Sequence, residues 1–235
     1  MGTPVARRAP PSAPNQATAS LIQPKTIYTE NVTEPRKRIE RLLNQSRIPA
    51  EKALSNFSLK RLPPKVVLIT KTLLEGEFLD RWENVLAFGN PGSGKTHLLC
   101  ALGQELIARA HRIYFTTSAL LVQDLLVAKR DLKLSRFIKR LAAFEGLIID
   151  DLGYVQQSRE EMEVLFTLLA ERYERGSVLI SSNLPFSKWE GIFKDPMMTA
   201  AAIDRLVHHC VILELNIPSY SVEQAKKAKT EAAAE

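Results

Sequence analysis

From Glu83 onward, short apolar runs alternate with stretches of helical periodicity. Val85–Phe88 predicts a strand, Thr96–Ala110 a helix and Ile113–Thr117 a second strand, after which Ser118 is placed to N-cap a helix running to about Arg130. Lys133–Leu141 predicts a shorter helix with Leu134, Phe137, Ile138 and Leu141 on one face. Leu147–Ile149 predicts a third strand that ends in Asp150 and Asp151. Arg159–Arg175 reads as a helix, with Met162, Leu165, Phe166 and Leu169 at i, i+3, i+4 and i+7. Ser177–Ser182 follows as a strand, 197–208 as a helix and Val211–Leu215 as a last strand. Strands this short and continuously apolar are buried on both faces. The pattern predicts an α/β fold, a parallel sheet with helices on both faces.

The first 82 residues read differently. Residues 1–34 are rich in Pro, Ala, Ser and Thr and are expected to be a disordered tail, because they bury too little surface to offset backbone ordering. Helical spacing begins near Arg36 with Ile39, Leu42 and Leu43, and returns over Val66–Phe78 after the break "RLPPK". This predicts a small helical domain over 35–82, the sheet-bearing domain over 83–216 and a tail over 217–235.

Charge sharpens that division. Residues 1–80 hold 13 Lys and Arg against 7 Asp and Glu, whereas residues 81–235 hold 19 of each. A basic front on a balanced body suggests an anionic partner such as nucleic acid, or otherwise a solvated tail. No apolar run approaches the ~18 residues of a membrane span, and no apolar core follows the early arginines as in a secretory signal. Cys100 and Cys210 lie in apolar segments without metal-ligand spacing, as reduced core cysteines of a cytoplasmic protein do.

The chemistry is concentrated between the first strand and the first helix of the sheet domain. Gly89, Asn90, Pro91, Gly92, Ser93, Gly94, Lys95 and Thr96 spell G-x-x-x-x-G-K-[ST], and with His97 they form the expected nucleotide-binding run. Glycines let successive N–H groups turn toward one anion, and the helix N-terminus adds its positive dipole end. Lys95 is expected to reach the β- and γ-phosphates and Thr96 to offer its hydroxyl to Mg²⁺. "LIIDD", 147–151, places two carboxylates at the carboxyl edge of the sheet, where ligands of such folds bind. Asp150 is expected to hold Mg²⁺ and Asp151 to polarise an attacking water. "VLISSN", 178–183, ends in Asn183, which can orient water through its donor and acceptor, or simply form a turn. Arg205 lies beside Asp204 as a surface ion pair or as an arginine finger reaching a neighbouring subunit. A small-molecule kinase would use the same loop, but would add a lid of phosphate-clamping arginines that is not apparent here.

"GNPGSGKTHLLCALG", "LIIDDLGY", "LFTLLAERYERGSVLISSNLPFSKWEGIFKDP" and "AAIDRLVHH" together resemble the IstB/DnaC-like AAA+ ATPases, most closely the IstB branch, from about Arg47 to Ala225. The resemblance implies the AAA+ form of the P-loop fold and ATP as the nucleotide. It implies that Asn183 is the sensor asparagine and Arg205 the finger between subunits. It further implies ATP-dependent self-assembly into a homo-oligomer on duplex DNA, and delivery or stimulation of a transposase there. A helicase loader acting on single strands, a phosphotransferase and a non-hydrolysing nucleotide-bound scaffold are the alternatives. Three departures stand out: Asp151 where many AAA+ proteins have glutamate, Ser221 where relatives often carry arginine, and only twenty residues after Leu215, too few for a full helical lid.

Between Lys129 and Arg140 the chain carries six basic residues and one Asp. On a helix, Lys133, Arg136, Lys139 and Arg140 face away from the Leu134/Phe137/Ile138/Leu141 side. Together with Lys129 and Arg130 they are the expected DNA-binding surface, the alternative being a solvated face. His208 and His209 have no third ligand nearby in sequence and read as polar surface positions.

Overall fold

A computed structural model describes residues 30–153, 158–189 and 196–220. Five strands form one sheet: β1 (Asn84–Gly89), β2 (Ile113–Thr117), β3 (Gly146–Asp150), β4 (Ser177–Ser182) and β5 (Cys210–Leu215). Their order is β2-β3-β4-β1-β5, and every neighbouring pair is parallel. Helices α1 (Glu30–Ser46), α2 (Pro64–Leu74) and α3 (Glu77–Asp80) precede the sheet, and α4 (Lys95–Ala108) follows β1. Next come α5 (Ser118–Arg130), α6 (Leu134–Ala142), α7 (Arg159–Arg172) and α8 (Pro196–Val207).

The apolar strands alternate between two cores. Leu86, Leu147, Ile149, Val178 and Ile180 face a cluster with Leu121, Leu125, Leu141, Leu165, Leu168 and Leu206 from α5 to α8. Val85, Ala87, Ile148, Leu179 and Leu213 face the other cluster, built with Leu98, Leu102 and Leu106 of α4 and with Leu62, Val66 and Leu73 from before the sheet. Both faces are covered by buried apolar side chains, as the continuous apolar runs require. The segment that precedes the sheet therefore packs directly on it, with Ile39, Leu42 and Ile48 against the same cluster.

Several helix ends differ from the periodicity, each for a local reason. Thr117, in extended conformation, is the N-cap of α5, and its side chain accepts from Leu120 N at 3.3 Å. Ser118 is thereby the first helical residue, and its hydroxyl donates to Asp151 O at 3.1 Å instead. α4 stops at Ala108 because Ala110 turns left-handed, with φ 70°. α7 opens on a Ser158–Glu161 capping box and stops at Arg172, because Tyr173 leaves the helix and Glu174 takes φ 53°. α1 begins at Glu30, inside the stretch assigned to the tail. Residues 1–29 of the expected disordered tail, and Ser221 with the residues that follow it, lie outside the described residues.

A buried arginine ties the sheet's entry edge to α6. Arg172 is 2% exposed. It donates to the carbonyls of Leu141, Phe144, Glu145 and Ser177 at 3.0–3.1 Å. Among the described residues no carboxylate pairs with it, and burial pulls its guanidinium down to about 10. Its Nε has no hydrogen-bond partner among the described residues. We expect Arg172→Ala to destabilise the protein by about 2–4 kcal/mol, because buried carbonyls lose a charged donor and a void replaces it. Urea unfolding of both proteins checks this, with a loss under 1 kcal/mol as the contrary result.

Candidate nucleotide-binding site

Parallel strands place all their carboxyl ends on one edge, and there the sequence motifs meet. β1 ends in Gly89, and the loop over 90–94 delivers the chain into α4 at Lys95. Gly92 and Gly94 have φ 76° and 96°. A Cβ on Gly92 would lie 2.2 Å from Ser219 Oγ, and one on Gly94 would lie 2.9 Å from the Phe57 ring. Both positions thus require glycine on conformational and on steric grounds.

Lys95 is 5% exposed and its Nζ donates to Gly89 O and Asn90 O at 2.9 Å and to Asn183 Oδ1 at 2.6 Å. Burial lowers its pKa, while Asp151 and Asp150 oppose that shift. Thr96 Oγ1 donates to Asp150 Oδ1 at 2.7 Å, and Ser181 Oγ donates to the same oxygen at 2.5 Å. Ser181 Oγ also accepts from Asp151 N at 2.9 Å, which fixes the two acids side by side. Asp151 sits in a left-handed turn with φ 57°. Its pKa is raised, first by burial and then by Asp150, with Lys95 and Lys52 pulling the other way.

These groups border a cleft of about 620 Å³ lined by Pro91, Gly92, Gly94, Lys95, Thr96, His97, Asp151 and Asn183. Its opposite wall comes from segments that carry no motif. Lys52, Asn56, Phe57, Ser58 and Arg61 line it from before the sheet, and Tyr220 lines it from after β5. Phe57 packs against the His97 ring at 5.1 Å, and His97 Nε2 lies 3.0 Å from Ala53 O. Arg61 stacks over Tyr220 at 4.9 Å and donates to Pro218 O at 3.0 Å. Tyr220 N donates to Gly92 O at 3.0 Å, so the chain after β5 returns across the phosphate loop. Ser181 and this wall were missed by sequence reasoning. The residues that line the wall share no spacing, and only folding brings them together.

Two expected groups lie elsewhere. Arg205 sits near the start of β1, in a hollow of about 180 Å³ shared with Asn84, Arg172, Tyr173, Glu174 and His209. Its guanidinium stacks over Phe166 at 4.6 Å and donates to Ala201 O at 3.3 Å. The length of β1, roughly 16 Å at ~3.3 Å per residue, separates it from the phosphate loop. It cannot serve the cleft of its own chain. Lys133, Arg136, Lys139 and Arg140 line a concavity of about 830 Å³ with Arg47 at the end of α1, a basic residue that the α6 pattern could not suggest. Lys129 instead pairs with Glu160 and Glu163 of α7 at 3.5 and 3.6 Å, and Arg130 is exposed.

A phosphate loop, two strand-end acids and a polar strand tip on this sheet order define a P-loop protein of AAA+ fold that binds ATP. Residues 15–228 match the family described as IstB-like ATP binding protein, and the chain belongs to that family. It is 43% identical over 194 residues to an insertion sequence ATP-binding protein, y4iQ/y4nD/y4sD, of Sinorhizobium fredii, covering 82% of this chain and 65% of that protein. It is 36% identical over 190 residues to the ATP-binding protein of insertion sequence IS21 from Pseudomonas aeruginosa, covering 81% and 72%. The solved DnaC helicase loader shares the fold, with a TM-score of 0.58 and 19% identity over 76% of this chain and 99% of that one. No helix among the described residues is long and apolar enough to cross a membrane.

Lys95→Ala is expected to abolish detectable ATP binding, because the cleft then loses the one ammonium held between its loop and Asn183. Equilibrium binding of labelled ATP checks it, and wild-type affinity in the variant would contradict it.

Proposed function

We propose that this protein hydrolyses ATP, assembles on duplex DNA in its ATP-bound form and recruits or stimulates a transposase at that DNA. The observation that carries the reading is the convergence of Lys95, Thr96, Asp151 and Asn183 on one cleft, with buried Asp150 held behind it by Thr96. Its relatives' names, which attach them to insertion sequences, supply the biological setting.

The residues support a division of labour. Buried Ser93 Oγ has no hydrogen-bond partner among the described residues, and the left-handed Gly92 and Gly94 let the loop backbone wrap closely, which fits a phosphate chain. Thr96 Oγ1 and Asp150 Oδ1 are adjacent hard oxygens, a donor pair suited to Mg²⁺. When bound, Mg²⁺ neutralises charge on the β- and γ-phosphate oxygens. Lys95 adds positive charge at the same edge. Asp151, whose raised pKa makes it a stronger base, draws a proton from the attacking water. Asn183 accepts from Lys95 through Oδ1, which leaves its amide N–H groups to orient that water or a phosphate oxygen. Arg205 completes the cleft of a neighbouring copy, where it stabilises developing charge. The Arg47, Lys133, Arg136, Lys139 and Arg140 concavity holds the DNA through its phosphates.

Three measurements test the reading. Asp151→Asn is expected to keep ATP binding and lose ~10²–10⁴-fold in hydrolysis, as loss of a general base does; normal turnover would assign the base elsewhere. Arg205→Ala and Lys95→Ala proteins, each inactive alone, are expected to regain hydrolysis when mixed. Absence of recovery in mixtures that co-assemble would remove the finger in trans. Replacing Lys133, Arg136 and Arg140 with Ala is expected to weaken binding to all duplexes alike and to reduce the salt dependence, at about 0.9 in log K per decade for each lost phosphate contact. A salt titration with a non-hydrolysable ATP analogue measures that slope; an unchanged slope contradicts the assignment, and preference for single strands would favour helicase loading.

A further inference from the structure

At the sheet edge away from the phosphate loop, two turns meet. The turn between α7 and β4 carries Tyr173 and Glu174, and the turn between α8 and β5 carries His208 and His209. One ligand atom from each of Glu174, His208 and His209 lies within 4.8 Å of the other two. Among the described residues, no other three His, Cys, Asp or Glu side chains are so grouped. The third ligand that sequence proximity could not supply to the histidines comes from 34 residues upstream of His208.

The surroundings bias these side chains toward one another. Glu174 adopts φ 53°, a conformation that few residues other than glycine take. The two imidazole rings lie 4.3 Å apart at 61°. Tyr173 Oη lies 3.0 Å from His208 Nδ1. An ion would therefore take Nε2 of His208, with Nδ1–H donating to the phenolic oxygen. Such an outer partner fixes both tautomer and ring orientation in metal-binding histidines.

We propose that Glu174, His208 and His209 form a surface site for a divalent transition-metal ion of the zinc class. Two imidazoles and a carboxylate match the preference of Zn²⁺ and Co²⁺, whereas Mg²⁺ favours oxygen donors alone. Three protein ligands leave a fourth position for water or for a group from another molecule. The ion fastens the α7–β4 turn to the α8–β5 turn and so braces the end of α8 that carries Arg205. The site is independent of the ATP cleft, which occupies the opposite edge of the sheet.

Untagged full-length protein, freed of metal by dialysis against a chelator, is titrated with Co²⁺ in buffer containing Mg²⁺, and Zn²⁺ is then added. One equivalent of Co²⁺ with a visible absorption band, displaced by one equivalent of Zn²⁺, is the expected result. His208→Ala/His209→Ala is expected to abolish the band. Glu174→Gln and Tyr173→Phe each weaken binding tenfold or more, as loss of a ligand or of its outer partner does. His111→Gln, which alters a histidine paired instead with Glu145 at 2.6 Å, leaves it unchanged. All three ligands are exposed, so the core is untouched, and circular dichroism together with ATP binding verifies that each variant is folded. Absence of saturable Co²⁺ binding in the wild type, or equal uptake by the double-histidine variant, overturns the proposal.

Discussion

Burial of a parallel sheet on both faces is the constraint from which the rest of this structure follows. Parallel strands cannot be joined by tight hairpins, so each connection passes through helices that cover a face. Leu147 and Ile149 of β3 point to one core and Ile148 to the other, and β1 and β4 repeat the division. With every strand running the same way, the ends of β1, β3 and β4 fall on one edge. Gly89, Asp150 and Asn183, far apart in sequence, become neighbours for that reason.

At that edge a lysine and a carboxylate, Asp151, share a partly desolvated cleft, with Asp150 buried next to it. Burial lowers the pKa of Lys95 and raises that of Asp151, and each charge opposes the shift of the other. Ser181 arbitrates between the acids: its hydroxyl donates to Asp150 while its oxygen accepts from the Asp151 backbone. Asp150 is thereby committed to Thr96 and Ser181, and Asp151 is left facing the cleft. Chemically similar neighbours acquire different surroundings from their hydrogen bonds.

The opposite edge has its own charge economy. Arg172 uses its guanidinium on main-chain carbonyls and takes no part in surface electrostatics. Arg205, stacked on Phe166, stays half-buried beside Tyr173, Glu174 and His209. The cleft lies at one edge and this arginine at the other, with the sheet itself as the spacer between them.

The sequence alone determined the strand-loop-helix signature at Gly89–Thr96, the acid-tipped strand at 147–151 and the alternation that predicts a covered parallel sheet. These features are local: a glycine-rich turn and a period of apolar residues carry their meaning over ten or fewer positions. The ends of α4 and α7 were beyond that range, since periodicity does not encode the left-handed backbone at Ala110 and Glu174. The cleft's far wall of Phe57, Arg61 and Tyr220, the link from Ser181 to both acids, the arrival of Arg47 beside α6 and the meeting of Glu174 with His208 and His209 were decided by tertiary structure only. Each joins segments separated by tens of residues, and their adjacency exists only once the sheet has set its strand order.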